Sequence, residues 1–234
     1  MLGRDFALYK LSRNSKIVRS YFAFCLPRIH PLIEEINLRT PVYGLTGGIA
    51  SGKSTALEQF VSLGIDTLDT DQLARDVVAR GTPGAKTLED TIGSQYFSAG
   101  LLNRAMLRAN MYKSPVLKKN IEGVIHPLVL DAVDHWLKQP SLSPYRILCS
   151  PLLIETNQHE ILDGVIVIDA PESEQLTRGS NRDIRSTNTI QHIIDAQLPR
   201  DTRLSHATYV IDNSGDLESL TWQIQTLHER LSHD

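Results

Sequence analysis

Nine residues, Gly47-Gly48-Ile49-Ala50-Ser51-Gly52-Lys53-Ser54-Thr55, do most to limit what this chain can become. They fit the pattern GxxxxGK[ST], with an apolar run before them and a helical pattern after them. In that setting Gly47 and Gly52 free backbone N–H groups to point inward at a helix N-terminus, where they present partial positive charge to an anion. Lys53 adds a full charge for β- and γ-phosphates, and the Ser54 hydroxyl is placed to ligand a Mg²⁺ ion bridging them. The candidate nucleotide-binding residues are therefore Gly48, Ile49, Ala50, Ser51, Gly52, Lys53, Ser54 and Thr55. The competing account is a glycine-rich turn that only caps a helix.

A phosphate loop requires a strand before it and a helix after it, and from residue 41 the pattern is βαβα. Residues 41–46 read as a buried strand, and 54–63 as a helix with Ala56, Leu57, Phe60 and Val61 on one face and Gly64 as its stop. Ile65–Leu68 is a second strand, followed by a helix capped by Asp69 or Thr70 and ended by Gly81. Residues 84–139 read as helices with no strand. Arg146–Cys149, Gly164–Ile168 and Tyr209–Ile211 supply three more strands, with a helix over 187–197 and a closing amphipathic helix over 217–231. Alternating strands and helices predict an α/β fold of the P-loop NTPase type, with a five-stranded parallel, doubly wound sheet.

Composition separates the first 40 residues from this body. They carry seven Lys/Arg and three Asp/Glu, whereas residues 41–234 carry 17 and 24. The segment has the composition of a transit peptide but no secretory apolar core or cleavage site, and an N-terminal helix on the body or an upstream start codon would serve equally. Cys25 and Cys149 make neither a disulfide framework nor a metal motif, so a reducing cytoplasm is the expected compartment. No membrane or nucleic-acid partner is expected, since no window approaches a membrane span of about 18 uncharged apolar residues. Oligomeric state stays open.

Neither NKxD nor LSGGQ is present, and the DxxG at Asp212 comes far too late, which excludes regulatory GTPases and ABC-type ATPases and leaves small-molecule kinases. The second strand ends in Leu68-Asp69-Thr70-Asp71, at the carboxyl edge where such sheets bind ligands. Asp71 there could accept the proton of an attacking hydroxyl; Asp69 could equally be only a helix cap. Arg75 lies one helical turn from Asp71 and could be its cationic partner or a substrate contact.

These stretches together resemble dephospho-coenzyme A kinase, through LTGGIASGKST, LGIDTLDTDQLAR, His126-Pro127-Leu128, Pro151-Leu152-Leu153-Ile154-Glu155, Arg178-Gly179-Ser180-Asn181-Arg182-Asp183 and Val210-Ile211-Asp212-Asn213-Ser214-Gly215. The resemblance covers nearly everything from 42 to 231. It implies transfer of the γ-phosphoryl of ATP to the ribose 3′-hydroxyl of dephospho-coenzyme A, with Asp71 as base. It further implies core segments at 41–80, 146–177 and 205–234, a helical coenzyme A-binding insertion at 81–145 and a lid at 178–204. Arg178 and Arg182 would reach ATP from that lid, with Arg185, Arg200 and Arg203 as weaker candidates. Asn213 and Gly215 match a segment near the adenine, while His126 and Glu155, with Asp69 and Arg75, fall on the substrate side. Ala50 departs from a frequent glycine and is tolerable only if its dihedrals are ordinary; Cys149-Ser150 departs from a branched apolar pair. The rivals are a nucleoside or nucleotide kinase of similar fold, or a regulatory protein that binds nucleotide without turnover.

Overall fold

The computed structural model describes residues 40–111, 113–183 and 187–233, the side chains of 182 and 183 excepted. Expectations for residues 1–39 and for Arg185 lie outside these. The chain runs β1 (Val42–Gly47), α1 (Lys53–Ser62), β2 (Asp66–Asp69), α2 (Thr70–Asp76), α3 (Pro83–Ile92), β3 (Phe97–Ser98), β4 (Leu101–Leu102), α4 (Arg104–Met111) and α5 (Pro115–Lys138). It continues with β5 (Arg146–Cys149), β6 (Gly164–Asp169), α6 (Glu172–Asp183), α7 (Thr187–Ala196), α8 (Arg200–Ser205), β7 (Tyr209–Asp212) and α9 (Leu217–His233).

Five strands form one parallel sheet in the order β2-β5-β1-β6-β7, the sheet the alternation predicts. β1 is central, with Tyr43 opposite Ile147 of β5 on one side and Gly164 of β6 on the other. From β1 the chain first builds towards the β2 edge and then, through β6, towards β7. The carboxyl end of β1 is thus the switch point where the sheet opens a crevice.

Side chains alternate across the sheet and both faces are covered, which is why Ile147–Cys149 of β5 and Val165–Ile168 of β6 read as continuous apolar runs. Leu45, Ile147, Cys149, Ile166 and Ile168 pack with Phe60 of α1 and with Leu220, Ile224 and Leu227 of α9. Leu148, Val165 and Val167 face the other way, onto Val133, Trp136 and Leu137 of α5 and onto Leu153. Phe60 is fully buried, which contributes about 2–3 kcal/mol by area.

A third cluster of Val78, Leu88, Ile92, Leu107 and Ile121 holds α3, α4 and the first half of α5 together. Here the structure departs from the sequence reading twice. β3 and β4 form an antiparallel hairpin in a stretch read as helices alone. Its turn, Ala99-Gly100, has φ of 49° and 75°, so an alanine occupies a place where Asn or Asp before Gly would have advertised the turn. The helix read as running to Gly81 stops at Asp76, because the Thr82 hydroxyl lies within hydrogen-bonding distance of the Val77 and Ala79 carbonyls, 2.9 and 2.8 Å away, and turns the chain.

At the opposite end of the sheet from the crevice, Arg146 is buried. Its Nε donates to Asp66 Oδ2 at 2.9 Å, Nη1 donates to the Gln139 carbonyl at 3.1 Å, and the guanidinium lies 3.7 Å from the ring centroid of Trp136. One side chain thereby ties β2, β5 and the end of α5.

Candidate active site at the end of the central strand

Side chains of Asp69, Thr82 and Ser114 cap α2, α3 and α5, whereas the loop after β1 delivers α1 with an N-terminus that no side chain caps. Its first N–H groups are left for an external acceptor, with the helix dipole behind them. Gly52, the residue before α1, has φ of 100°, which favours glycine. A Cβ there would also collide with the Asn213 side-chain amide, whose Nδ2 donates to the Ser51 carbonyl at 2.7 Å. Asn213 thus braces the loop from the end of β7. The Ser51 hydroxyl is buried with no hydrogen-bond partner among the described residues.

Lys53 folds back, its Nζ donating to the carbonyls of Gly47 at 3.2 Å and Gly48 at 3.5 Å. Burial pulls its pKa below the usual lysine range, and Cys149, Asp71 and Asp69 act in the opposite direction. The Cys149 thiol, buried beside them, is pushed up to about 12 and stays neutral. Ala50 has φ of 54°, so the condition on which an alanine would be harmless there is not met. Ser54 and Thr55 stand on the first turn of α1, and Ile49 N–H donates to Gln197 Oε1 at 2.8 Å.

β2 ends two strands from β1, with Asp69 in register with Cys149 and Cys149 in register with Leu45. Asp69 caps α2: its Oδ1 accepts from Asp71 N–H at 2.9 Å. Asp71 is exposed on that first turn, yet crowding by the protein raises its pKa above the usual carboxylate value, helped by the charge of Asp69 and opposed by Lys53 and Arg75. The structure therefore brings Asp69, Asp71, Arg75 and Lys53 into one electrostatic group. His126 is not drawn into it; it is exposed in the middle of α5, just before Pro127. Glu155 is exposed too, and its Oε1 accepts from Leu198 N–H at 3.3 Å, between α7 and α8.

Across the loop, Arg178 on α6 donates from Nη1 to the Asn213 carbonyl at 2.8 Å and pairs with Glu174 at 3.3 Å. Arg182 follows one turn later on the same helix, its side chain outside the described residues. Gly215 lies exposed in the turn after β7. Arg200 grips the buried Asp169 with Nη2 at 2.6 Å and Nε at 2.9 Å. Sequence reasoning missed Gln175, which is buried over Gly48, and Gln197, which holds Ile49. Neither has a motif, and only the folded chain carries them to the loop.

Comparison with known proteins follows the same lines. Residues 41–219 match the family profile described as Dephospho-CoA kinase. The Dephospho-CoA kinase of Hahella chejuensis is 43% identical over 80% of this chain and 90% of its own length. That of Acinetobacter baylyi is 42% identical over 82% of this chain and 99% of its own. Among solved structures, one from Thermus thermophilus superposes with a TM-score of 0.69 at 30% identity, over 82% of this chain and 98% of that one. The Dephospho-CoA kinase of Campylobacter jejuni does so with 0.63 at 22% identity, over 82% and 97%, and speaks for the fold alone. An uncapped phosphate loop, the carboxylates of β2 and a match across 41–219 agree that the chain belongs to the dephospho-CoA kinase family.

Proposed function

We propose that the chain transfers the γ-phosphoryl of ATP to the ribose 3′-hydroxyl of dephospho-coenzyme A, giving coenzyme A and ADP, in the cytoplasm. The observation that carries this reading is the match of residues 41–219 to the Dephospho-CoA kinase profile, joined to an α1 N-terminus that no side chain caps and to Asp69 and Asp71 where β2 passes into α2. Asp71 accepts the proton of the attacking hydroxyl, a task for which a raised pKa is suited. Lys53 exchanges the loop carbonyls for β- and γ-phosphate oxygens. The N–H groups between Gly48 and Thr55 hold the remaining phosphate charge, apart from Ile49 N–H, which donates to Gln197, and Ser51 N–H, which donates to the Gly48 carbonyl; Ser51 also offers a buried hydroxyl with no partner among the described residues.

Mg²⁺ fits this chemistry. Ser54 presents a hydroxyl and Asp69 and Asp71 present carboxylates, all hard oxygen donors, while the described residues contain no cluster of three or more His, Cys, Asp or Glu able to cage a metal alone. That donor set suits an ion that arrives on nucleotide phosphates with Ser54 as its protein ligand, where it neutralises charge on the transferring group. Arg178, Arg182, Asn213 and Gly215 serve the nucleotide side, and residues 178–204 act as the lid. Asp69, Arg75, His126 and Glu155 serve the acceptor side. The insertion at 81–145 takes the coenzyme A arm, and a cleft of about 460 Å³ lined in part by Lys86, Glu89 and Phe97 gives it both polar and apolar walls.

Asp71→Asn tests the mechanism. It should lower kcat by about a hundredfold or more while ATP binding stays nearly intact. Retention of full kcat would reduce Asp71 to a helix residue.

A further inference from the structure

Three arginines that the described residues place around the loop are used differently. Arg200 is half exposed and spends its guanidinium on Asp169. Arg178 is committed to the Asn213 carbonyl and Glu174. Arg203 is only 7% exposed, and among the described residues its guanidinium has no carboxylate at ion-pairing distance and makes one hydrogen bond, from Nη2 to the Leu198 carbonyl at 2.7 Å. Its Nε and Nη1 groups are uncommitted.

The guanidinium sits against the loop itself. A Cβ on Gly48 would stand 3.1 Å from Arg203 Nη1. The Gly48 carbonyl is one of the two that accept from Lys53, so the two cations flank the same residue. Glu155 and Asp169 act on this cation from beyond ion-pairing distance but leave Nε and Nη1 unfilled, and a buried cation with unfilled donors is costly unless a negatively charged group completes it. Its seat is fixed by the chain around it: Leu198 N–H donates to Glu155, Gln197 accepts from Ile49 N–H, and Arg203 N–H bonds the Pro199 carbonyl at 2.9 Å at the start of α8. These links join the segment between α7 and α8 directly to the loop.

We propose that Arg203 is a further catalytic residue, whose free guanidinium edge binds the transferring phosphoryl group from a seat already built against Gly48. This rests on the phosphoryl transfer proposed above. In that step the acceptor oxygen forms a bond to the γ-phosphorus and gives its proton to Asp71. The bond from the γ-phosphorus to the β–γ bridging oxygen breaks, and its electron pair leaves with ADP. Arg203 moves no proton; Nη1 and Nε donate to the oxygens on which charge gathers, which preorganised donors stabilise in the transition state more than in the ground state.

The test compares wild type, Arg203→Gln and Arg203→Lys in the full chain by steady-state kinetics, ADP calorimetry and thermal melting. Arg203→Gln should lower kcat about 100- to 1000-fold, with ADP affinity and KM changed by no more than about threefold. Arg203→Lys, which keeps the charge but loses the fork, should recover only part of kcat. A kcat within about threefold of wild type in Arg203→Gln would overturn the proposal. So would a loss mirrored in ADP affinity and melting temperature that Arg203→Lys fully restores, since that pattern belongs to a structural charge. The comparison is made on whichever acceptor the wild type phosphorylates, so a wrong acceptor and an idle Arg203 give different results.

Discussion

At the scale of single residues, Ala50 and Asp69 show how local conformation and charge reach the chemistry. Ala50 holds φ of 54°, which costs an L-residue about 1–2 kcal/mol, while glycine gives back about 0.4–1 kcal/mol through its freer unfolded chain. Strain is the larger effect, so Ala50→Gly should raise stability by about 0.5–1 kcal/mol in denaturant unfolding. Loss of stability would mean the loop is not strained there. Asp69 caps α2 and also raises the pKa of its neighbour Asp71. Asn caps a helix as well as Asp does but carries no charge. Asp69→Asn should therefore lower the Asp71 pKa and move the acid limb of the kcat/KM profile to lower pH, because the base then stays ionised further down. An acid limb that stays in place or rises would show that Asp69 does not act on Asp71 electrostatically. The candidate loop and Asp71 could be singled out from sequence because the chemistry proposed for them demands particular residue types at fixed spacing. Arg203 could be read only as one arginine among several, since its burial and its neighbour Gly48 come from tertiary packing. Glu155 likewise had a position but no partner until Leu198 was folded against it.

At the scale of elements, what the sequence announced best were those whose pattern repeats. Ile147–Cys149 of β5 and Val165–Ile168 of β6 are uninterrupted apolar runs because both faces are covered, and α9 shows its buried stripe of Leu220, Ile224, Leu227 and Leu231 at helical spacing. The hairpin of β3 and β4 went unread because two-residue strands carry no period and Ala99 is not a turn residue by type. The early end of α2 depends on a hydroxyl five residues beyond Val77. Arg146 is another case: a charged residue opening an apolar strand becomes a buried tie to Asp66, Gln139 and Trp136. Removing it strips the stacking partner from Trp136 and the counterion from the half-exposed Asp66, so Arg146→Ala should cost about 3 kcal/mol. Arg146→Met keeps the packing and should cost less than half of that, and because Arg146 lies at the far end of the strands both variants should keep kcat within about twofold. Equal destabilisation by both variants would assign the effect to charge and not to packing.

At the scale of the whole molecule, one sheet positions both halves of the candidate site. The central strand ends in the candidate phosphate loop, β2 beyond β5 brings Asp69 and Asp71 to one side, and β6 and β7 bring Asp169 and Asn213 to the other. One cluster of buried apolar residues lies on each face of the sheet and a third joins α3, α4 and the first half of α5, whose second half reaches back to the sheet through Val133, Trp136 and Leu137. No helix among the described residues is long and apolar enough to cross a membrane. The central claim, that a phosphoryl group leaves this loop for a sugar hydroxyl of dephospho-coenzyme A, is tested most directly by one assay. Purified full-length protein is supplied with ATP, Mg²⁺ and, in separate reactions, dephospho-coenzyme A, AMP or adenosine, and ADP and phosphorylated product are measured together. The prediction is stoichiometric ADP and coenzyme A with dephospho-coenzyme A and negligible turnover with the other two. Phosphorylation of AMP or adenosine but not dephospho-coenzyme A, or nucleotide binding with no turnover of any acceptor, would contradict it.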